Sequence, residues 1–527
     1  MSLNWNCPYP SNRSPVFAKN MVATSQPLAV QAGINALKNG GNAVDAAIAT
    51  AITLTVVEPT SNGIGSDAFA IVWDGRNLHG LNASGRAPAA LDPEKFRGLT
   101  QMPRLGWDAV TVPGAVSGWV ELSQQFGKLP FAQLFKDAIH YASSGFLVGP
   151  KTAAVWKQAE YDYRDFESFT RTFMIAGRAP ATGQLMRLPD HAASLKEIAA
   201  SHGRAFYHGE LARAMVQDSN RHHGVLSMED LARHQCDWVG TIDTALYATS
   251  LHEIPPNGQG LMALIALGIL NRLDIARYPL DSIDSVHLQI EAMRVAYAYI
   301  ERHLADIEHM RVTPQDLLED GFLRVRATEI DPAIANPQPT AIGTGADTVY
   351  LTTADESGMM VSMIQSNYAG FGSGIVVPGT GISLQNRAAG FVLEEGHPNQ
   401  VGGNKRPYHT IIPGFAMHNG KPEMSFGVMG AHMQAQGHLQ MMLRVFVHGQ
   451  NPQTASDAPR WYLHEDGRVS LEKGFDPAVA DALRQRGHTI VIDSPESLFG
   501  GAQLIYRLQD GYCGGSDHRK EGLVAGF

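Results

Sequence analysis

The first part of the chain carries two helix-type patterns and then a strand. Between Pro27 and Lys38 apolar residues recur at helical spacing, and Gly40 and Gly41 end the pattern. From Ala43 to Val57 nearly every residue is apolar or small, which predicts a helix covered on all sides. A strand is predicted at residues 68–73, after a glycine-containing loop. This order predicts a layered α/β body with helices outside sheets.

The pattern changes along the rest of the chain. Residues 117–330 are predicted to be mainly helical, most strongly at 281–306, where Asp281 or Ser282 would cap the helix. After residue 347 short alternating runs predict a strand-rich C-terminal part. These runs are TVYLTTA, MMVSMIQS, HTIIPGFAMH, MSFGVMG, RVSLEK and AQLIYRL.

A linker meets a hairpin between these two parts. Asp331–Gly345 is rich in Pro, Ala and Gly and has neither helix nor strand period, which is typical of a solvated linker. Two alternating runs then flank Asp-Glu-Ser-Gly, which predicts a β-hairpin with Gly358 in its turn. A strand that opens with Asp347-Thr348 directly after a loose linker suggests a chain that is cut between these two residues.

Such a cut would create a catalyst at Thr348. The new N-terminal residue would carry a hydroxyl and an α-amine of pKa about 7.7–8.0, and the amine can serve as the base for the hydroxyl. The same hydroxyl can make the cut by attacking the carbonyl of Asp347. Ser366, on the returning strand, is placed to support Thr348, and the turn at Gly430 and Ala431 can supply backbone amides to an oxyanion. Considered alone, Thr348 also fits an ordinary β-branched strand residue.

Composition narrows the class of protein. The chain has 527 residues, 44% apolar and 17% charged, enough for a sizeable core in one large body or two to three domains. A net charge of −10 argues against nucleic-acid and membrane partners. Three isolated cysteines and no visible signal peptide predict a cytoplasmic protein. No cofactor is expected, and no metal, because His432 and His438 lack the spacing and company of ligands.

Several ordered motifs resemble one known family. They are GGNAVDAA at Gly40–Ala47, VPG at Val112–Gly114, the glycine loop Gly63–Asp67, Thr348 with Asp355, FGSGIVVPGTGISLQN, LEKGF at Leu471–Phe475, and SDHR at Ser516–Arg519 with Phe527. Over nearly its whole length the chain resembles the γ-glutamyltransferase family of N-terminal-nucleophile (Ntn) hydrolases.

The resemblance implies both a fold and a maturation step. The implied fold is an α/β (α+β) four-layer αββα sandwich, with two stacked, mainly antiparallel sheets between helical layers. The implied chemistry is self-cleavage of a zymogen into a large subunit, 1–347, and a small subunit, 348–527. The two subunits would form one compact heterodimer, able to assemble further, and acyl transfer would run through an ester on Thr348.

The chain departs from this family where the γ-glutamyl group is normally bound. The aspartate that holds the substrate ammonium corresponds to Gly390, and an asparagine of the glutamyl site corresponds to Tyr368. The family's paired serines correspond to His409 and Thr410, and the family's carboxylate-binding arginine is replaced by Arg86, beside the Ala-Pro of that motif. A site without the aspartate leaves a substrate ammonium without its partner.

These departures predict an acid that lacks an α-amino group. Arg86 and Arg387 are candidates for the carboxylate, and Tyr368 and His409 would narrow the pocket. The preferred substrate is oxamate, giving oxalate and ammonia as in purine and allantoin nitrogen breakdown. The alternatives are a γ-glutamyltransferase or glutathione hydrolase, and an uncleaved, inactive binding protein. Other roles also stay open: an ion pair for Arg86, a solvent-facing position for Arg387, and a bond to a backbone carbonyl for His409.

Overall fold

The computed structural model describes residue 5, residues 12–336 and residues 348–527. The strands are β1 (Val16–Ala18), β2 (Met21–Thr24), β3 (Asp67–Trp73), β4 (Leu78–Ala83), β5 (Phe146–Leu147), β6 (Leu185–Met186), β7 (Asp237–Trp238), β8 (Ile242–Leu246), β9 (Thr249–Glu253), β10 (Val349–Ala354), β11 (Met360–Ser366), β12 (Gly414–His418), β13 (Lys421–Met429), β14 (Trp461–Leu463), β15 (Val469–Leu471), β16 (Ile490–Val491), β17 (Gly501–Leu508), β18 (Gly511–Ser516) and β19 (Leu523–Gly526).

The α-helices are α1 (Pro27–Lys38), α2 (Ala43–Val57), α3 (Ala115–Phe126), α4 (Lys136–Ser144), α5 (Pro150–Asp162), α6 (Glu167–Phe173), α7 (Pro189–Ser201), α8 (Arg204–His208), α9 (Glu210–Arg221), α10 (Met228–Ala232), α11 (Gly260–Arg272), α12 (Ile283–His303), α13 (Pro314–Leu318), α14 (Asp320–Thr328), α15 (Met433–Met442), α16 (Pro452–Asp457) and α17 (Pro477–Gln485).

Two large sheets form the centre of the molecule. One has the strand order β1-β18-β17-β13-β12-β9-β8, and the other has the order β19-β2-β10-β11-β3-β4-β7. Neighbouring strands within both sheets are antiparallel. Between the sheets lies an apolar layer that includes Phe69, Tyr350, Phe415 and Ile505.

Helices cover the outer face of each sheet. Every residue of α2 is buried, as its apolar sequence predicts, and α2 packs on β10 and β11. On the other side α11 packs on β8 and β9, and α15 packs on β13. The predicted four-layer αββα sandwich is therefore confirmed.

Most predicted elements near the site are confirmed. Helices α1 and α2 have the expected bounds, Ser282 caps α12 with its side chain, and Gly358 (φ 92°) lies in the turn between β10 and β11. The prediction of a strand from His409 onward is wrong, because β12 begins only at Gly414. The N–H of His409 donates to the carbonyl of Asn257 instead, and Pro413 has no N–H to give to a ladder.

Candidate active site

Thr348 lies at the start of the central hairpin. It directly precedes β10, whose first residue, Val349, pairs with Gln365 of β11, so Thr348 comes level with Ser366. The Thr348 Oγ1 donates to the Ser366 Oγ at 3.2 Å, and the same Oγ accepts the N–H of Tyr368 at 2.8 Å. Thr348 is 1% exposed in the intact chain. Asp347, on the other side of the predicted cut, lies outside the described residues.

The turn after β13 has the geometry of an oxyanion site. Gly430 and Ala431 both have positive φ angles (122° and 49°), and α15 starts two residues later. Their carbonyls accept from the N–H groups of Met433 and Gln434. Their own N–H groups donate to no acceptor within residues 12–336 and 348–527. Two consecutive amides left free before a helix are suited to binding a developing negative charge.

Gln434 is a site residue that the sequence did not reveal. Its Nε2 lies 3.5 Å from the Thr348 Oγ1, while its Oε1 accepts the N–H of Ile412 at 3.0 Å. The bond to Ile412 fixes which end of the amide faces the nucleophile. The hydroxyl is therefore held between Ser366 and Gln434. No local pattern marks Gln434, because only the turn into α15 brings it to Thr348.

Arg387 is a buried cation with unsatisfied donors. It begins a short 3-10 turn, is 0% exposed, and donates from Nη1 to the Thr410 Oγ1 at 2.9 Å. Its guanidinium lies 4.5 Å from the ring centre of Tyr368. In the described part of the chain its Nε and Nη2 have no hydrogen-bond partner. Burial lowers the pKa of Arg387 to about 10, so it stays charged at neutral pH. The solvent-facing alternative for Arg387 is therefore wrong.

Gln259 joins the surroundings of Arg387 to the oxyanion turn. Its Nε2 donates to the carbonyl of Thr410, and to the carbonyl of Ala431 at 2.9 Å. Thr410 holds Arg387, and Ala431 carries one of the free amides, so these two parts of the site meet at a single nitrogen. Gln259 belongs to a Gly-rich segment whose sequence indicates only a turn and the start of a helix.

Asp67 and His409 form a buried pair behind Arg387. Asp67 lies opposite Ser366 in the ladder between β3 and β11. Its Oδ1 accepts the N–H groups of Gly85 (3.3 Å) and Gly114 (3.1 Å), and its Oδ2 lies 3.1 Å from the His409 Nε2. Burial raises the pKa of Asp67 to about 7, although the charge of Arg387 acts in the opposite direction.

The imidazole of His409 is neutral and has one tautomer. Burial lowers the pKa of His409 well below its ordinary value. The His409 Nδ1 accepts the N–H of Ile411 at 3.4 Å, so the ring proton lies on Nε2 and is donated to Asp67. His409 thus binds a carboxylate and not a backbone carbonyl.

Arg86 lies apart from this cluster. Its Nη1 pairs with the Asp306 Oδ2 at 2.7 Å and reaches the Asn404 carbonyl at 3.2 Å. Its side chain is 34% exposed and lines a cavity of about 220 Å³ together with Asp237 and Arg406. This is the ion-pair role that the sequence left open. Arg86 and Arg387 share no hydrogen-bond or ion-pair partner in the described chain.

Gly390 and Tyr368 line a second cavity. The cavity has a volume of about 440 Å³, and Glu301 and Glu394 also line it. A Cβ at Gly390 would lie 2.6 Å from the carbonyl oxygen of Tyr408, so the backbone here is too close to its neighbour for a larger residue. The family's aspartate could not occupy this position without a shift of the chain.

A surface cleft reaches the oxyanion turn. Its volume is about 740 Å³, and its lining includes Gly430, Asn386, Arg104, Tyr462 and Lys520. The cleft therefore exposes Gly430, one residue of that turn, to the outside of the protein.

Residues 12–336 and 348–527 contain no group of three or more His, Cys, Asp or Glu side chains arranged to hold a metal ion. Among the helices described above, none is both long and apolar enough to span a bilayer.

The αββα sandwich, with a buried threonine directly before a central hairpin strand, is the architecture of an Ntn-type amidohydrolase. The chain belongs to the γ-glutamyltranspeptidase family, whose family model matches residues 29–527. Its relatives are named as proenzymes, which implies self-processing into two subunits within the family.

Three relatives cover nearly the whole chain. The crystal structure of a cephalosporin acylase from Bacillus halodurans superposes with a TM-score of 0.95 at 46% identity, covering 100% of this chain and 99% of that one. The oxamate amidohydrolase proenzyme of Klebsiella pneumoniae is 35% identical over 98% of this chain and 99% of its own length. The glutathione hydrolase-like YwrD proenzyme of Bacillus subtilis is 31% identical over 98% and 100%. The three names indicate three different substrates.

Proposed function

We propose that the mature protein hydrolyses a small amide whose acyl group carries a carboxylate and no α-amino group, with oxamate as the preferred substrate. The chain first cuts itself before Thr348, giving subunits of residues 1–347 and 348–527. The Thr348 hydroxyl then attacks the amide carbonyl of the substrate while its α-amine takes the proton. The proton passes to the leaving ammonia, and water hydrolyses the ester to release oxalate. A cytoplasmic location and a place in purine-nitrogen breakdown remain predictions.

The chief support is the buried guanidinium of Arg387. In the described chain two of its nitrogens have no partner, which is costly unless a ligand completes it, and a carboxylate matches its paired N–H groups. Thr410 and Gln259 link Arg387 to the turn at Gly430 and Ala431, so we place the substrate's carboxylate at Arg387 and its amide carbonyl at the free amides. Oxamate carries its carboxylate directly on the scissile carbonyl, so it is the candidate that needs the smallest separation between these two places.

Access to this site depends on maturation. Thr348 and the unpaired nitrogens of Arg387 are buried in the intact chain, and the Thr348 nitrogen is still a peptide nitrogen, which is not basic. The cut supplies the base, and the new chain end can move away from the site. Either water or an amine can then take the acyl group, so some acyl transfer remains compatible with hydrolysis.

The second candidate is a γ-glutamyl amide, as in a glutathione hydrolase. It is favoured by Glu301 and Glu394, which line the cavity at Gly390 and could receive an ammonium from another direction than the family's aspartate. A glutaryl amide separates the candidates, because it equals a γ-glutamyl amide without the ammonium.

The test is a substrate panel with cleaved protein. It contains oxamate, its neutral counterpart oxamide, glutaryl anilide, γ-glutamyl anilide and glutathione, with release of ammonia or aniline as the signal. We expect oxamate to have the highest kcat/KM and oxamide to be turned over poorly. Faster turnover of γ-glutamyl than of glutaryl anilide, with none of oxamate, would reverse the ranking. A protein that stays at full length and turns over nothing would support the inactive binding protein.

A further inference from the structure

Asp67 is a buried acid that the proposed chemistry does not use. It is 0% exposed and lies opposite Ser366, the residue that bonds to the Thr348 hydroxyl. The negative charge of Asp67 acts to raise the pKa of Arg387, yet the two side chains form no ion pair within 4.0 Å in the described chain. The carboxylate therefore compensates the charge of the guanidinium without occupying its donors.

Asp67 makes its hydrogen bonds to groups other than Arg387. Its carboxylate oxygens accept from the N–H groups of Gly85 and Gly114 and from the His409 Nε2. In the described chain the Nε and Nη2 of Arg387 are left without a partner. The titratable and charged groups close to Asp67 are Arg387, Arg406, His409 and Tyr207.

A substrate carboxylate would change the charge balance at this place. Arg406 is paired with Asp237, so the charges that remain in the buried cluster before binding are one cation, Arg387, and one anion, Asp67. A carboxylate on Arg387 would add a second anion in a region from which water is excluded, and an uncompensated buried charge is expensive. Uptake of one proton restores neutrality.

We propose that Asp67 is an exchangeable counter-charge for Arg387, ionised while the site is empty and neutralised by a proton when a substrate carboxylate binds. This inference rests on the proposed carboxylate site at Arg387. In this proposal Asp67 and His409 are positioning residues. The proton that they take up lets the site bind one more negative charge, that of the substrate carboxylate.

The hydrogen bonds give the proton a route. The proton on the His409 Nε2 moves to the Asp67 Oδ2, and a proton from solvent binds to the His409 Nδ1. One N–H bond breaks, one O–H and one N–H bond form, and the imidazole stays neutral in its other tautomer. The bond lost is the one from the Ile411 N–H to Nδ1, at 3.4 Å the longest in this group. A raised pKa of Asp67, about 7, is consistent with an acid that changes its charge near neutral pH.

The experiment measures protons taken up when a product acid binds. Cleaved wild-type protein and Asp67→Asn are titrated with oxalate and with glutarate at pH 8, by calorimetry in two buffers of different ionisation enthalpy. Asparagine has the shape of the neutral acid and can donate to His409, so the variant should fold and cleave itself. We expect the wild type to take up about one proton more per site than the variant. Equal uptake by the two proteins would overturn the proposal.

A second variant keeps the test decisive if Asp67→Asn does not fold. In His409→Gln the amide can still donate to Asp67, and the carboxyl that takes up the proton is unchanged. Calorimetry reports the two end states, so the uptake should stay about one proton per site. Loss of the uptake in His409→Gln would place the proton on the imidazole and overturn the assignment to Asp67. If neither acid binds to the wild type, the carboxylate site itself fails, which is a failure of the proposed function and not of this inference alone.

Discussion

Replacing Arg387 by methionine should affect stability and function in different directions. In the described chain the guanidinium has one hydrogen bond, to Thr410, and two unpaired nitrogens, Nε and Nη2. Methionine fills much of the same space and removes a buried cation that is incompletely paired. Removal of one partner destabilises a buried pair when it leaves an uncompensated charge, but Asp67 can take up a proton once its neighbour is gone, so no such charge is left. We therefore expect the free energy of unfolding to be unchanged or higher.

The catalytic loss should be large. A substrate carboxylate entering the variant meets no cation, and breaking a buried charge pair costs about 3–5 kcal/mol. At about 1.4 kcal/mol for each factor of ten, kcat/KM for oxamate should fall roughly 100-fold to 4,000-fold. Arg387→Lys keeps the charge but has no planar fork, so it loses about one charged hydrogen bond, or roughly 10-fold to 100-fold.

The assay compares oxamate with oxamide, which has the same size and no charge. The ratio of their kcat/KM values should collapse in Arg387→Met, while self-cleavage on a denaturing gel shows that the variant still folds. Arg86→Met is the matched control, because Arg86 pairs with Asp306 and its side-chain bonds in the described chain go neither to Thr348 nor to Arg387. A wild-type ratio in Arg387→Met would refute the reasoning, and a collapsed ratio in Arg86→Met would return the carboxylate to Arg86.

Three further predictions concern other parts of the site. Thr348→Ala should stay as one band of 57.0 kDa on a denaturing gel and should turn over no substrate. The wild type should give bands of about 37 and about 20 kDa, and the smaller fragment should begin Thr-Val-Tyr. A smaller fragment with another first residue and full activity would contradict this. Gln434→Met should slow self-cleavage and deacylation roughly 10-fold, because one donor to the Thr348 oxygen is lost. The slower deacylation should appear as a larger acyl-enzyme burst. Unchanged rates would exclude a role for Gln434 in holding the hydroxyl. The pKa of Asp67 is raised from 3.8 to about 7, so the folded chain holds this proton more tightly than the unfolded chain does. The contribution of protonated Asp67 to the free energy of unfolding therefore falls by up to about 4 kcal/mol as pH rises from about 4 to about 7. Melting temperatures of Asp67→Asn should therefore gain on those of the wild type over this range and then run parallel, and a constant difference from pH 4 to 8 would disprove the assignment.

The parts of the site that follow one another along a strand could be predicted from the sequence. Thr348 and Ser366 belong to one hairpin, and alternation with a glycine turn is enough to set them side by side. The turn at Gly430 and Ala431 follows a recognisable strand. In each case a short stretch of chain contains both the pattern and its consequence.

The remaining residues meet only through the tertiary fold. Arg86 pairs with Asp306, which is 220 positions away, and no local pattern announces that contact. Asp67 lies in β3 and His409 lies in the loop before β12, and the two residues are 342 positions apart. Arginine side chains are rarely fully buried, so the sequence does not predict the burial of Arg387. Its burial depends on Tyr368 and Thr410, which the sequence marks only as departures from a family.

The site divides into two sets of side chains with separate duties. Ser366 and Gln434 contact the Thr348 hydroxyl, which we propose attacks both Asp347 during maturation and the substrate afterwards, so changes in them should slow both reactions. Arg387 and Asp67 contact neither the hydroxyl nor the free amides in the described chain, and the proposed carboxylate appears only after the cut. Changes in this second set should spare self-cleavage and alter only which amide is hydrolysed. Selection can therefore change the substrate of such a protein without endangering its maturation, which is consistent with relatives of one fold that carry three different names.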